Sequence, residues 1–329
     1  MTASGVDPLL VCSTSTSFSA TAATSVGRRF MFPAKIEPTV TFRGRTSRAS
    51  SSAATPACGD DLNFTSCGRR GIITVATSPV VLHMFEALEC FRANAAEDIL
   101  PIKEEIRKVL SKGKAPGVLR LAFHDAGTFE IDENSGGMNG SIVYELDRPE
   151  NTGLQKPLKI LEKAKTEVDA IRPVSWADII ALAGAEAVSL CGGPSIPLRL
   201  GRIDSMVADA EGKLPQESLD AFGLKRCFQR KGFSTRELVA LSGAHTLGSK
   251  GFGNPTVFDN SYFKILLEKP WLSSAGMSSM IGLPSDRALV EDDECSRWIS
   301  KYADNQNLFF EDFKNAYIKL VNSGARWES

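Results

Sequence analysis

The sequence predicts an almost all-α domain. Apolar residues recur at steps of three and four in several stretches, helix-start signals stand in front of them, and no run alternates apolar with polar side chains as a half-buried strand would. With 43% hydrophobic and 23% charged residues, the 329-residue chain can bury a sizeable core. From Glu97 to Leu110, the positions Ile99, Ile102, Ile106 and Leu110 form one apolar stripe facing that core. Gly113 and Pro116 then punctuate. Val118 to Phe129 is apolar at most positions, which predicts a helix inside the domain rather than on its surface. Leu154 to Ile171 is amphipathic and is stopped by Pro173. Ser175-Trp-Ala-Asp178 has capping spacing and opens a helix to about Leu190, ended by Gly192-Gly193-Pro194. Ser234-Thr-Arg-Glu237 is a full capping box, and its helix carries Leu238, Leu241 and His245 along one side. Asp259 to Leu267 and Leu308 to Val321 complete the set.

The N-terminal part has a different composition. Residues 1–57 are rich in Ser, Thr and Ala, carry six basic side chains from Arg28 to Arg48, and hold only Asp7 and Glu37 as acids. That is the make-up of an organelle transit peptide, with a disordered tail as the alternative. Residues 58–95 read as a linker or a second targeting segment: Arg69-Arg70, the mostly apolar stretch from Ile72 to Phe85 and Ala93-Asn-Ala95 have the layout of a twin-arginine export signal. An ordinary buried helix or a tether has the same look. The folded domain is expected over residues 96–329. No stretch reaches the roughly 18 uninterrupted apolar residues of a membrane span. The 38 basic and 39 acidic side chains balance to −1, which leaves no electrostatic footprint for nucleic acid. Seven cysteines without CxxC or paired metal-ligand spacing read as thiols of a reducing compartment. With three histidines, His83, His124 and His245, a histidine-rich zinc or copper site is disfavoured.

Two segments carry the chemistry. In GVLRLAFHDAGTFE, Arg120 and His124 are four apart, so a helix presents a cation and an imidazole on one face with Phe123 beside them. Burying both costs free energy unless something polar needs them. A core histidine on a backbone carbonyl and a snorkelling arginine fit these residues about as well. In ELVALSGAHTLG, the small residues Gly243, Ala244 and Gly248 flank His245 and let a flat, bulky ligand come close to the helix. A structural role for a lone histidine there is the more common outcome. A ligating one needs a partner for its second nitrogen. Asp286, in LPSDRAL, is a candidate for that partner, or else a cap after a proline.

These segments, together with LPSDRAL and FDNSYF, resemble the class I haem peroxidases of plants, the ascorbate peroxidase group, over roughly residues 97–325. The resemblance implies the haem peroxidase fold, two helical lobes enclosing a haem b. It implies that Arg120, Phe123 and His124 lie above the haem, Phe123 standing where the family usually has tryptophan. Asn151, in ENTGL, would accept the Nδ1 proton of His124, with Glu145 behind it. His245 would ligate the iron and Asp286 hold that histidine. Thr246, Asn254 and Asp259 match part of a site for a potassium or calcium ion. The implied activity is reduction of hydrogen peroxide to water, with His124 as general base and then acid, Arg120 stabilising developing negative charge, and ascorbate or a phenol as electron donor.

The chain also departs from that family. After HTLG it runs through SKGFGNP directly to FDNSYF, a shorter segment than usual; no tryptophan lies between His245 and Pro270, and Phe252 is the nearest aromatic. The arginine that contacts ascorbate in this segment is missing, whereas Lys112 falls at the position of the other ascorbate-contacting residue. With the N-terminal composition, these departures look most like the ascorbate peroxidase-related subgroup of chloroplasts, the stroma being favoured over the thylakoid lumen. Two rival readings stand beside the enzyme: a haem-free relative acting as a binding or assembly protein, and a thiol redox protein using Cys191 or Cys227.

Overall fold

The structure, a computed structural model, describes residues 99–273 and 280–328. The targeting segments, His83 and Cys12, Cys58, Cys67 and Cys90 lie outside the described residues. Within them the fold is helical as expected, the only β features being isolated bridges at Glu130–Ser135 and Arg202–Trp327.

Among the described residues ten α-helices follow one another. α1 covers residues 99–109 and buries Ile102 and Ile106, the stripe read from the sequence. α2, Ala115–Ala126, begins three residues earlier than its apolar run, because Pro116 sits in the first turn, where its missing N–H costs nothing, and does not break the helix. α3 is Gln155–Ile171. α4, Trp176–Leu190, is buried from Ala177 to Val188. Ser175 Oγ accepts the Asp178 N–H as expected, and Asp204 reaches in from a later loop to accept the N–H groups of Trp176 and Ala177 at 2.7 and 2.9 Å. α5, Ala221–Arg230, was not anticipated, although Asp220 caps it and Leu224, Cys227 and Phe228 give it an apolar face. α6, Thr235–Ser242, has the capping box, with Ser234 and Glu237 bonded reciprocally. α7 is Ser261–Glu268. α8, Pro284–Glu291, and α9, Asp293–Asp304, also escaped the sequence reading. α10 is Gln306–Asn322.

The most extensive helix pairing is α2 against α4. α10 packs against α6, α2 and α9, so one helix backs the elements that carry both histidine segments. No single helix among the described residues is long and apolar enough to cross a membrane.

Candidate active site

A cavity of about 540 Å³ opens between these elements. Arg120, Phe123 and His124 of α2 line one part of it, Leu238 and Leu241 of α6 with His245 another, and Phe313 and Tyr317 of α10 contribute to its walls. Largely apolar walls with a few convergent polar groups are what a bulky, flat cofactor requires.

On the α2 side, His124 Nδ1 lies 2.7 Å from Asn151 Oδ1. The amide cannot turn round, since its Nδ2 donates to the Glu145 carbonyl at 2.9 Å. Oδ1 is therefore the acceptor, His124 carries its proton on Nδ1, and Nε2 is left as a base. Burial first, then the nearby Arg120 charge, pulls the imidazole down to about 4, against the Asn151 hydrogen bond, so His124 is neutral at physiological pH. The 3₁₀ turn Pro149–Asn151 serves the neighbouring residue too: the Arg120 guanidinium donates to the carbonyls of Glu150 and Thr152 at 2.8 and 2.9 Å. Glu145 acts on Asn151 through its main chain. Its carboxylate is taken by Arg148 at 2.9 Å and the Asp209 N–H at 2.8 Å, two supports the sequence did not signal. Phe123 offers only a hydrocarbon face, edge-on to His124 and stacked on Phe228.

The other histidine is held in the opposite electrostatic sense. α6 stops at Ser242, and the chain tightens into a 3₁₀ turn, Gly243–Thr246, that carries His245. The expected continuous helix ends one residue before this turn. His245 Nδ1 lies 2.7 Å from Asp286 Oδ1, while 40% of the imidazole remains accessible in the cavity. Asp286 is the third residue of α8 and almost fully buried; its Oδ2 accepts the Leu283 N–H at 2.8 Å, so the helix start anchors the carboxylate. Burial alone would raise Asp286, but His245 and the other donors outweigh it and hold the acid below its ordinary range. Burial likewise opposes a charged His245, yet Asp286 prevails and raises it. An unforeseen third partner is Tyr262, whose buried hydroxyl donates to Asp286 Oδ1 at 2.8 Å. Its ring packs against Phe252 at 4.6 Å and stands edge-on to His245, so the aromatic neighbours on this side are a tyrosine and a phenylalanine.

Of the residues expected to hold a cation, Thr246 and Asp259 meet, with Oγ1 donating to Oδ1 at 3.1 Å. Asn254 turns its side-chain oxygen to the N–H and hydroxyl of Thr256. Among the described residues, no three acidic, cysteine or histidine side chains converge to hold a metal ion. Cys191, Cys227 and Cys295 are buried free thiols, and burial pushes all three up, Cys295 to about 12, which makes them poor nucleophiles.

Residues 102–305 match the family model described as peroxidase. This chain belongs to the peroxidase family. The peroxidase is 65% identical over 264 residues to a provisionally named L-ascorbate peroxidase 6 of Arabidopsis thaliana, covering 80% of this chain and 79% of that one. It is 37% identical to the cytosolic L-ascorbate peroxidase 2 of the same plant, covering 68% and 95%. A provisionally named heme-binding peroxidase of Cryptococcus neoformans is 38% identical over 69% of this chain and 78% of its own length. The family expected from the two histidine segments is therefore the one found, and the all-helical peroxidase fold goes with it. The site fits a haem: His245 offers the cavity a ring nitrogen while its other nitrogen is fixed by a buried carboxylate, as metal-bound histidines require.

Proposed function

We propose that this peroxidase reduces hydrogen peroxide to water with haem b, which His245 would hold in the cavity through its iron, and with His124 as the proton-transfer residue. One observation carries the reading: two imidazoles line one cavity with opposite settings, His124 kept neutral by an amide and His245 made electron-rich by a carboxylate. When bound, the haem supplies the electrons that break the peroxide O–O bond. His124 Nε2 takes the proton from the attacking peroxide oxygen and returns it to the departing one, which leaves as water. Arg120, one helical turn before His124 and close enough for its charge to depress the imidazole, would stabilise negative charge as it develops on that oxygen. A donor then supplies two electrons, one at a time, with the two protons that complete the second water.

The donor in this proposal is ascorbate or a phenol without strong preference, because the shortened segment after His245 lacks the usual arginine. The compartment is the chloroplast, supported by the composition of residues 1–57; the relatives named for cytosolic and peroxisomal enzymes do not speak for it.

Absorption spectra of the purified chain with haemin test the reading. A Soret band that His245→Ala abolishes is expected; no band with the unmodified chain would favour a haem-free binding protein. With haem bound, His124→Ala should slow the reaction with peroxide by a factor of about 10² or more at unchanged haem content. An unchanged rate would remove the proton-transfer role.

A further inference from the structure

A row of aromatic rings leads from His245 to the surface, and the proton chemistry of the site makes no use of it. Tyr262 stands edge-on to His245 with ring centroids 6.1 Å apart. Phe263 follows at 5.0 Å and Tyr302 at 5.1 Å, and the row ends on the half-buried Trp298 of α9, 6.0 Å further. All four tryptophans of the chain lie among the described residues, and of these Trp298 alone makes a ring contact with a tyrosine.

Oxidising a tyrosine at neutral pH removes an electron and a proton, so the partner of its hydroxyl decides whether it can serve. Tyr302 is fully buried and donates to Asp312 Oδ2 at 2.6 Å, a ready proton acceptor that Arg236 holds through both carboxylate oxygens at 2.6 and 2.8 Å. Tyr317 lines the cavity, but its hydroxyl meets the Ala181 carbonyl, which cannot take a proton. Tyr262 could release its proton only to Asp286, the carboxylate that holds His245. The rings of Tyr262 and Phe263 are therefore bridges, and Tyr302 is the group that can be oxidised and restored.

At the outer end, Lys301 Nζ and the Arg236 guanidinium lie 4.2 and 4.8 Å from the Trp298 ring centroid. Both cations oppose a positive charge that lingers on the indole, which keeps the oxidised site inward on Tyr302, and both attract an anion to this surface. Lys301 is exposed and has no ion pair among the described residues. With a haem seated in it, a cavity of about 540 Å³ leaves little room for a bulky donor.

We infer that Trp298 and Lys301 form a second donor site, where a bulky anionic aromatic reductant gives up electrons that travel through Tyr302, Phe263 and Tyr262 to the haem. The inference rests on the haem reading above. In each of two identical steps per peroxide, one electron leaves Tyr302 for the haem that peroxide has oxidised, and the phenolic proton passes to Asp312. The donor, oxidised by one electron to its radical, returns an electron through Trp298, and the proton goes back from Asp312 to Tyr302. A donor without acidic protons leaves the protons of the second water to come from solvent.

The test compares ABTS, a disulfonated aromatic dye, with guaiacol, a small neutral phenol, on the haemin-loaded full chain. W298F keeps a ring in place but resists oxidation; it should lower kcat/KM for ABTS roughly tenfold or more and leave guaiacol oxidation unchanged, which also shows that the variant is folded. K301Q should raise the KM for ABTS roughly two- to fivefold at unchanged kcat, a difference that added salt removes. Apart from turnover, freeze-quenched electron paramagnetic resonance after peroxide without donor should show a tyrosyl radical that is absent in Y302F, and a spin trap should label the peptide that carries Trp298. Unchanged ABTS kinetics in W298F, or a radical that persists unaltered in Y302F, overturns the inference. An equal fall with guaiacol overturns it too, since the indole then serves the fold and not a donor. A chain that forms no Soret band with haemin overturns the haem reading first, and this inference with it.

Discussion

At the scale of single residues, the site works by giving two identical side chains different partners. Because His124 is neutral above about 4, the rate of its reaction with peroxide should be flat from about pH 5 to 8 and fall as the pH drops through about 4, where Nε2 becomes protonated. Stopped-flow rates across that range check this; a midpoint near the ordinary 6.5 would show that the burial does not reach the ring. Asn151→Leu frees Nδ1 and lets the imidazole rotate, so the rate should drop by roughly ten- to a hundredfold while haem binding persists. Opposite, Tyr262→Phe keeps the ring against Phe252 and removes one donor from Asp286 Oδ1, which leaves the carboxylate a stronger acceptor for His245. The expected outcome is a more negative haem midpoint potential and a loss of about 1 kcal/mol of stability. An unmoved potential would mean that the hydroxyl serves packing alone. Arg120 and His124 could be paired in the sequence because a four-residue step on a helix is local information, whereas the residues alone left both histidines open to structural roles and the resemblance singled them out. Asn151 stands 27 residues from its partner and was reached through family resemblance; Asp286, 41 residues from His245, was a candidate carboxylate among the residues that the resemblance then singled out. Tyr262 lay inside a quoted motif, but nothing local says where its hydroxyl ends.

Helices position these groups by meeting at close range where one residue is small. Gly184 sits in α4 where a Cβ would collide with the Tyr317 hydroxyl and come within 2.9 Å of the Ala122 Cβ, on α10 and α2 respectively. Gly184→Ala should push α4 away from both partners, strain the Tyr317 bond to the Ala181 carbonyl, and lower stability by about 1 to 3 kcal/mol despite alanine's better helix propensity. A thermal melt above that of the unmodified chain would show that the crossing has room to spare. The same dependence on context explains which helices the sequence disclosed. α4 and α6 carry strong N-caps followed by apolar runs, so they could be read. α5 and α9 have caps as well, at Asp220 and Asp292, but are strongly charged on their outer faces, and their apolar stripes are narrow enough to be passed over. Pro116 misled in the other direction: a proline that begins a helix and one that ends it look alike until the first turn is placed.

For the molecule as a whole, the cavity is a gap in the core, and what closes it governs cohesion. The helices around it do not lack anchors elsewhere. Arg202, fully buried, joins Asp178 at the start of α4 to the Val321 carbonyl and the Asn322 side chain at the end of α10, and Trp327 covers it. Arg202→Met would strand the Asp178 carboxylate in the interior and should cost about 3 to 5 kcal/mol, without touching either histidine. At the cavity, by contrast, α2 and α6, which leads into the His245 turn, share α10 as a common backing, and a ligand that touches both sides adds a contact the protein alone cannot make. Haemin at a hundred times its dissociation constant should then stabilise the domain by about 2.7 kcal/mol, a rise in melting temperature of roughly 5 to 10 °C for a domain of this size. His245→Ala should lose most of that increment, and without haemin it should melt below the unmodified chain because the buried Asp286 carboxylate loses its imidazole partner; the comparison is therefore between the two increments. Equal increments in both proteins would mean that haemin binds somewhere other than beneath His124.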